Sequence, residues 1–254
     1  MSTGRRVAAV VGAAGAALAV AVSAGAVGSH SLSTEATVAL PTGSEPVKLD
    51  PADFTTKIDN LYWPMKPGNR WVYRETDPDG TTLRVVVTVT SKTKPMADGI
   101  VARVVRDTVT EDGKLVEDTW DWYAQDKAGN IWYFGELTKE YENGKFVSSA
   151  GSFEAGVDGA QPGVIMPANP KAGLAYRQEY YKGQAEDTAE IFSLDEQAEV
   201  PYGHFKNVVM TKDLNRLKPK ALEYKFYARG IGPVLAVGIS GGSDREELVR
   251  FTRG

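Results

Sequence analysis

The second half of this chain echoes the first at an offset of about 104 residues, and that echo limits the possible folds more than any other feature. Gly99-Ile100-Val101-Ala102-Arg103-Val104-Val105 reads against Gly203-His204-Phe205-Lys206-Asn207-Val208-Val209. Trp120-Asp121-Trp122-Tyr123-Ala124 reads against Tyr224-Lys225-Phe226-Tyr227-Ala228, and Gly68-Asn69-Arg70-Trp71 against Gly173-Leu174-Ala175-Tyr176. Glycines, aromatics and β-branched residues are kept while charges are lost. That is the mark of a scaffold whose packing is constrained and whose surface is not.

The local pattern is that of strands. Leu83, Val85, Val87 and Val89 fall on one face of a period-2 segment, with Arg84, Thr88 and Thr90 on the other. Asp77-Pro78-Asp79-Gly80, Asp112-Gly113 and Asn143-Gly144 are hairpin turns, because Asp-Gly and Asn-Gly tolerate positive φ. Ala128-Gly129-Asn130 reads as another. No segment sustains a 3.6-residue apolar period with caps. The expected class is all-β: two related antiparallel β units, 61–160 and 161–254, forming a curved sheet, half-barrel or sandwich after an N-terminal export helix. The duplication favours a pseudo-two-fold relation. The apolar, Pro-rich stretch at 161–170 is expected to pack as the crossover between the units.

The N-terminus carries an address. Arg5 and Arg6 precede an uncharged run at 7–29 built of Ala, Gly and Val, and Ala24-Gly25-Ala26 offers a signal-peptidase site after Ala26. Residues 1–26 are read as a signal peptide or an uncleaved membrane anchor. The run is just long enough to span a bilayer but weakly hydrophobic. Either way the body lies outside the cytoplasm, secreted or on the outer side of the membrane, which it touches only through this segment. Residues 27–60, rich in Ser, Thr, Pro and acids, are expected to form a disordered tether.

Composition excludes several chemistries. The chain has no cysteine, so disulfides, thiolate metal sites and cysteine nucleophiles are absent. Formal charge is −4, with no Lys/Arg stripe, which argues against nucleic-acid binding. There are two histidines, His30 in the tether and His204 in an expected turn, and no G-x-S-x-G elbow. Asp118, Asp121, Asp126 and Asn130 do not match a calcium loop, and 126–130 is better read as a turn. No metal, cofactor or catalytic residue is expected, and the protein is read as no enzyme.

Aromatics remain. Trp120 and Trp122 share one strand face, and Trp132 and Phe134 share a face of the next strand across the 126–130 turn. Such pairs bury large areas as core, or line a ligand groove. Trp120, Trp122 and Trp132 are therefore candidate ligand-binding residues. Asp121 and Glu179, acids among aromatics, are the pair that would serve a glycan hydrolase.

Leu61-Tyr62-Trp63-Pro64-Met65-Lys66-Pro67-Gly68-Asn69-Arg70-Trp71-Val72-Tyr73 resembles the opening of a family of uncharacterised secreted or membrane-anchored bacterial β-proteins. Their pattern is aromatic-x-Pro-Leu-Lys-x-Gly-x-x-Trp-x-Tyr, with Met65 here in place of Leu. The resemblance extends to 176–181 and 227–232. It implies an extracytoplasmic antiparallel β architecture and no assigned activity. The expected function is a non-enzymatic envelope or secreted protein that binds a small apolar ligand or an envelope protein. The alternatives are a structural or adhesive surface module, or a carboxylate-based glycan hydrolase.

Overall fold

The computed structural model describes residues 40–254. The expected export segment, with its expected cleavage site at Ala26, and His30 lie outside the described residues. The 3-10 turn Pro51–Asp53 leads into fifteen strands. They are β1 (Phe54–Thr55), β2 (Arg70–Thr76), β3 (Thr82–Pro95), β4 (Val101–Glu111), β5 (Lys114–Asp126), β6 (Ile131–Glu142), β7 (Lys145–Ser148) and β8 (Phe153–Glu154), followed by β9 (Gln161–Met166), β10 (Ala175–Tyr181), β11 (Ala185–Val200), β12 (Gly203–Asn215), β13 (Leu222–Ala228), β14 (Gly232–Ser240) and β15 (Arg245–Thr252).

Twelve of these close on themselves. In chain order β2 to β6 and β9 to β15 each pair antiparallel with the next, and β15 pairs back onto β2 through Phe251↔Trp71 and Leu248↔Tyr73. The result is an up-and-down barrel. Here the expected curved sheet, half-barrel or sandwich is corrected. Each unit leaves two ladder edges open, and the other unit fills both, at β6–β9 and at β15–β2. Closure leaves no unpaired backbone row on the ring. The spans 61–160 and 161–254 therefore share one interior.

The ring has a two-fold regularity of its own. β2 and β10 stand six places apart on it, as do β3 and β11, β4 and β12, β5 and β13, β6 and β14, and β9 and β15. Each strand thus faces its counterpart straight across the interior.

The tether reading of 27–60 does not hold from residue 40 onward. Leu40, Val47, Leu49 and Phe54 pack against the core, and Ile58 is buried in it. Phe54 stands edge-on to Trp132 and Phe134, at 6.1 and 5.6 Å between ring centroids. The Arg177 guanidinium donates to the carbonyls of Gly43 and Glu45, so a charged side chain of β10 fastens this strap to the outside of the barrel.

Two structural details set up the interior. Residues 58–65 fold back on themselves through the Ile58–Met65 bridge, with the Asn60 side chain accepting from the Tyr62 and Trp63 amides. That hairpin directs Trp63 and Met65 into the barrel. In β6 the ladder slips at Gly135 (φ +127°), where a Cβ would collide with the Phe153 carbonyl. The slip changes the phase of alternation, so Tyr133 and Glu136, three apart, face the same way.

Candidate functional site

Strand alternation decides what the barrel encloses. β2 turns Trp71, Tyr73 and Glu75 inward; β3 turns Val85, Val87 and Val89; β4 turns Val105, Asp107 and Val109; β5 turns Glu117, Thr119, Asp121 and Tyr123. With Tyr133 and Glu136 of β6, Lys225 and Tyr227 of β13, Glu246 of β15, and Trp63 and Met65 from the 58–65 hairpin, they line a cavity of about 150 Å³. Six carboxyl groups and one ammonium face it, beside aromatic and aliphatic side chains.

So many acids in one interior cannot all be ionised. Burial, reinforced by Asp77, Asp244, Asp107 and Glu117, pushes Glu75 up to about 8. Burial, then Asp107, pushes Glu117 up to about 8. Burial and Glu136 push Asp107 up to about 7. Asp121 and Glu246 are held well above the ordinary range, by burial first and then by Glu136 and Glu75 respectively. Desolvation penalises the charged form in every case.

Hydrogen-bond geometry sets the number of protons. The Glu117 carboxyl meets Thr119 Oγ1 at 3.0 Å, Thr119 meets Thr138 Oγ1 at 3.0 Å, and Thr138 meets Glu136 Oε1 at 2.9 Å. Tyr133 Oη then joins Glu136 Oε2 at 2.7 Å to Asp121 Oδ1 at 2.9 Å. The five contacts have only three hydroxyl hydrogens among them. Two more must come from carboxyls. With Glu136 ionised, Thr138 and Tyr133 both donate to it. Thr119 then donates to Thr138 and receives a proton from Glu117, while Asp121 donates to Tyr133. The count makes two of the three acids neutral, and Glu136, which alone meets two hydroxyls, is the one best placed to carry the charge. The same two hydroxyl bonds oppose the burial that raises Glu136.

The single ammonium is spoken for. Lys225 Nζ lies 3.0 Å from Asp213 Oδ2 and 3.3 Å from Glu223 Oε2. Burial disfavours its charge, but Asp213 and Glu223 outweigh it and hold Lys225 protonated. Asp213 also accepts from Thr211 and from Gln178 Nε2 at 3.3 Å.

Other acceptors have no such support. Glu75 is 2% exposed and Glu117 4% exposed, yet Glu75 Oε1 and Glu117 Oε2 have no hydrogen-bond partner. Asp107 Oδ1, facing the same cavity, has none either. Nearby donors are committed to backbone: Trp71 Nε1 donates to Ile231 O at 2.9 Å, and Tyr73 Oη to Pro233 O at 3.0 Å.

Of the residues singled out in the sequence, Asp121 lines the cavity. Glu179 is buried and stands opposite Asp187 across β10 and β11. Burial, then Asp187, holds its carboxyl well above the ordinary range, and it lies outside the cavity lining. Trp120 and Trp122 alternate with Thr119, Asp121 and Tyr123 and so face away from the cavity, unlike the expectation that they line a ligand groove. Lys92 and Arg106 lie over the Trp120 ring at 5.1 Å each, and Lys94 over Trp122 at 4.3 Å. Trp132 is likewise outside, under Phe54, with its indole N–H donating to Asp126 Oδ2 at 2.8 Å. The same Asp126 carboxylate caps the Asn130 amide and side chain, so the turn consumes it. His204 is exposed against Gln197. Among the described residues no three of His, Asp or Glu converge as a set that would hold a metal ion.

Sequence reasoning missed Glu75, Asp107, Glu117 and Glu136. The signal for three of them was present. Trp71, Tyr73 and Glu75 alternate on one face, as do Val105, Asp107 and Val109, so an acid sits in register with apolar inward positions. Glu117 shares its face with Asp121 in the same way. Glu136 was hidden by the slip at Gly135.

No family model matches the sequence, and no curated protein matches it. Among solved structures, the chain is similar to a "putative lipoprotein" of Parabacteroides distasonis, at 14% identity and a TM-score of 0.45, over 76% of this chain and 99% of that one. It is also similar to a β-barrel-like protein of a domain of unknown function from Brucella abortus, at 12% identity and a TM-score of 0.35, over 75% of this chain and 98% of that one.

Proposed function

We propose that this is an exported, non-enzymatic binding protein that holds a small ligand inside its barrel. One observation carries the reading: two carboxyl oxygens, on Glu75 and Glu117, line a cavity walled by Trp63, Trp71 and Tyr73 and have no partner. A buried acceptor without a donor costs about 1–3 kcal/mol. A ligand that supplies the donors relieves that cost at the moment of binding. The apolar lining supports an apolar or amphipathic occupant, and a cavity of about 150 Å³ suits one with the bulk of a single ring. Export rests on Arg5, Arg6 and the uncharged run that follows.

The cavity favours this reading over a purely structural module, which would fill its core. Its size disfavours glycan hydrolysis, which needs a groove open to a polymer and two carboxyls facing it; Glu179 instead faces Asp187. Outward positions such as Arg106 and Asp118, joined by a two-point ion pair at 2.7 and 3.0 Å, are unlike the apolar band of a lipid-spanning barrel.

Native mass spectrometry of the full-length protein, isolated without detergent, tests the proposal. A small-molecule adduct that is lost on denaturation is the expected result. A bare mass, together with no change in melting temperature across a library of small apolar and amphipathic compounds, would overturn it.

A further inference from the structure

We infer that the ligand is a small organic cation, an ammonium on an apolar body about the size of one aromatic ring, with its N–H groups on Glu75, Asp107 and Glu117. The inference rests on the binding reading above and specifies its chemistry. Three residues on three strands, β2, β4 and β5, each present a buried oxygen without a donor to one cavity. Several donors around them are committed: Trp71 and Tyr73 to backbone carbonyls, Tyr133 and Thr119 to the carboxyl chain, Lys225 to Asp213 and Glu223. An occupant that brings hydrogens satisfies all three oxygens at once. An ammonium brings three, with a positive charge that makes each bond to a carboxylate stronger. An anion would meet six carboxyl groups, and a neutral apolar molecule would leave the three oxygens as they are. The rest of the lining fits the other half of such a ligand. Tyr73 lies two residues before Glu75 on the same inward face, and Val105 and Val109 flank Asp107. Aromatic faces near a cation add attraction of their own.

Binding is linked to protons. Near neutral pH Glu75, Glu117 and Asp107 are largely or partly protonated, and an arriving ammonium favours their ionised forms. The groups facing them are Glu246 of β15, Asp121 of β5, Glu136 of β6 and Lys225 of β13, with Asp77 and Asp244 near Glu75, Glu140 near Glu117 and Asp118 near Asp107. Glu246, Asp121 and Glu136 oppose ionisation, and Lys225 is already neutralised by its own pair. Uptake of the cation therefore releases protons, and affinity rises with pH from about 6 to about 8.

Isothermal titration calorimetry of the full-length protein with benzylamine, benzyl alcohol and calcium chloride tests this. Benzylamine is expected to bind about tenfold or more tighter than benzyl alcohol, with proton release seen as a buffer-dependent heat. Glu75→Gln with Glu117→Gln keeps the volume, and is expected to abolish the preference while benzyl alcohol still binds. The single variant Glu75→Gln, expected to reduce the preference in part, serves if the double variant does not fold. Equal binding of the amine and the alcohol would overturn the cation inference and leave the binding proposal standing. Displacement of benzylamine by calcium would overturn it in favour of a metal. Binding of neither organic probe would overturn the inference, while the adduct experiment separately decides the binding proposal.

Discussion

Asp121 and Glu136 stand directly opposite each other across β5 and β6, two buried acids joined by the single hydroxyl of Tyr133. Like charges in that position would repel. The hydroxyl resolves the conflict by accepting from one carboxyl and donating to the other. Tyr133→Phe removes that bridge, leaves the ring in place, strands Asp121 and leaves Glu136 with Thr138 alone. We expect a loss of about 1–3 kcal/mol, a few degrees in melting temperature by calorimetry. An unchanged melting temperature would remove the proton assignment given to this chain.

The raised acids make stability depend on pH in an unusual direction. A carboxyl with a folded pKa of about 8, as for Glu75 and Glu117, binds a proton that the unfolded chain has already lost. Between the ordinary carboxyl range and about pH 8, the native state therefore holds more protons than the unfolded one. Stability falls as pH rises through that window, by at most about 1.4 kcal/mol per pH step of one for each such group. Below the window both states are protonated and the stability is fully present, with no further dependence on pH from these groups. The ligand-free protein should melt at higher temperature near pH 5 than near pH 8. Glu75→Gln should flatten the difference and raise the melting temperature at the upper end. Denaturation followed by circular dichroism across this range checks both.

Lys225 behaves oppositely, because it is the partner that makes nearby charge tolerable. Lys225→Met keeps most of the stem but leaves Asp213 and Glu223 without their cation. Breaking a buried pair from one side costs about 3–5 kcal/mol. We expect a clear loss of stability at about pH 8 by urea denaturation, partly restored by adding Asp213→Asn. Restoration by the second substitution separates the charge effect from lost packing.

The indoles should sort by the face they occupy. Trp63→Ala opens the cavity and removes rings packed at 6.0 and 5.8 Å from Tyr123 and Tyr227, so it should cost about 3–5 kcal/mol and change ligand uptake. Trp120→Ala lies outside, beneath Lys92 and Arg106, and should leave uptake unchanged. Gly232→Ala belongs with Trp63: φ is +115° and a Cβ would sit 2.8 Å from Trp63 Cδ1. Binding titrations on the three variants distinguish inside from outside.

Much of this fold is legible in the chain because strands announce themselves. Leu83, Val85, Val87 and Val89 alternate as expected, and the last three face the cavity. The offset of about 104 residues matches half a turn of the ring, since β2 and β10, or β4 and β12, begin about that far apart. Closure is less visible, because edge pairing between Trp71 and Phe251 is a long-range choice with no local signature. The sequence pattern points to the wrong face of β5. Trp120 and Trp122 draw attention by size, while the neighbours that point inward, Thr119, Asp121 and Tyr123, look like a solvated row. Acids on a strand ordinarily face water; here the only route to the interior reading is their register with Tyr73 and Val105.

The pairing of β15 with β2 also governs how the molecule is made. Strand Arg70–Thr76 is the first of the ring to be synthesised and Arg245–Thr252 the last, so one edge of the nascent sheet stays unpaired until every other strand of the ring has been made. Non-local closure of this kind is slow, since the loop entropy of the whole ring must be lost before its contacts form. Until then the acids of β2, β4 and β5 remain in water, ionised and mutually repelling. That charge keeps the open sheet hydrated, and is given up only when the last strand seals the wall.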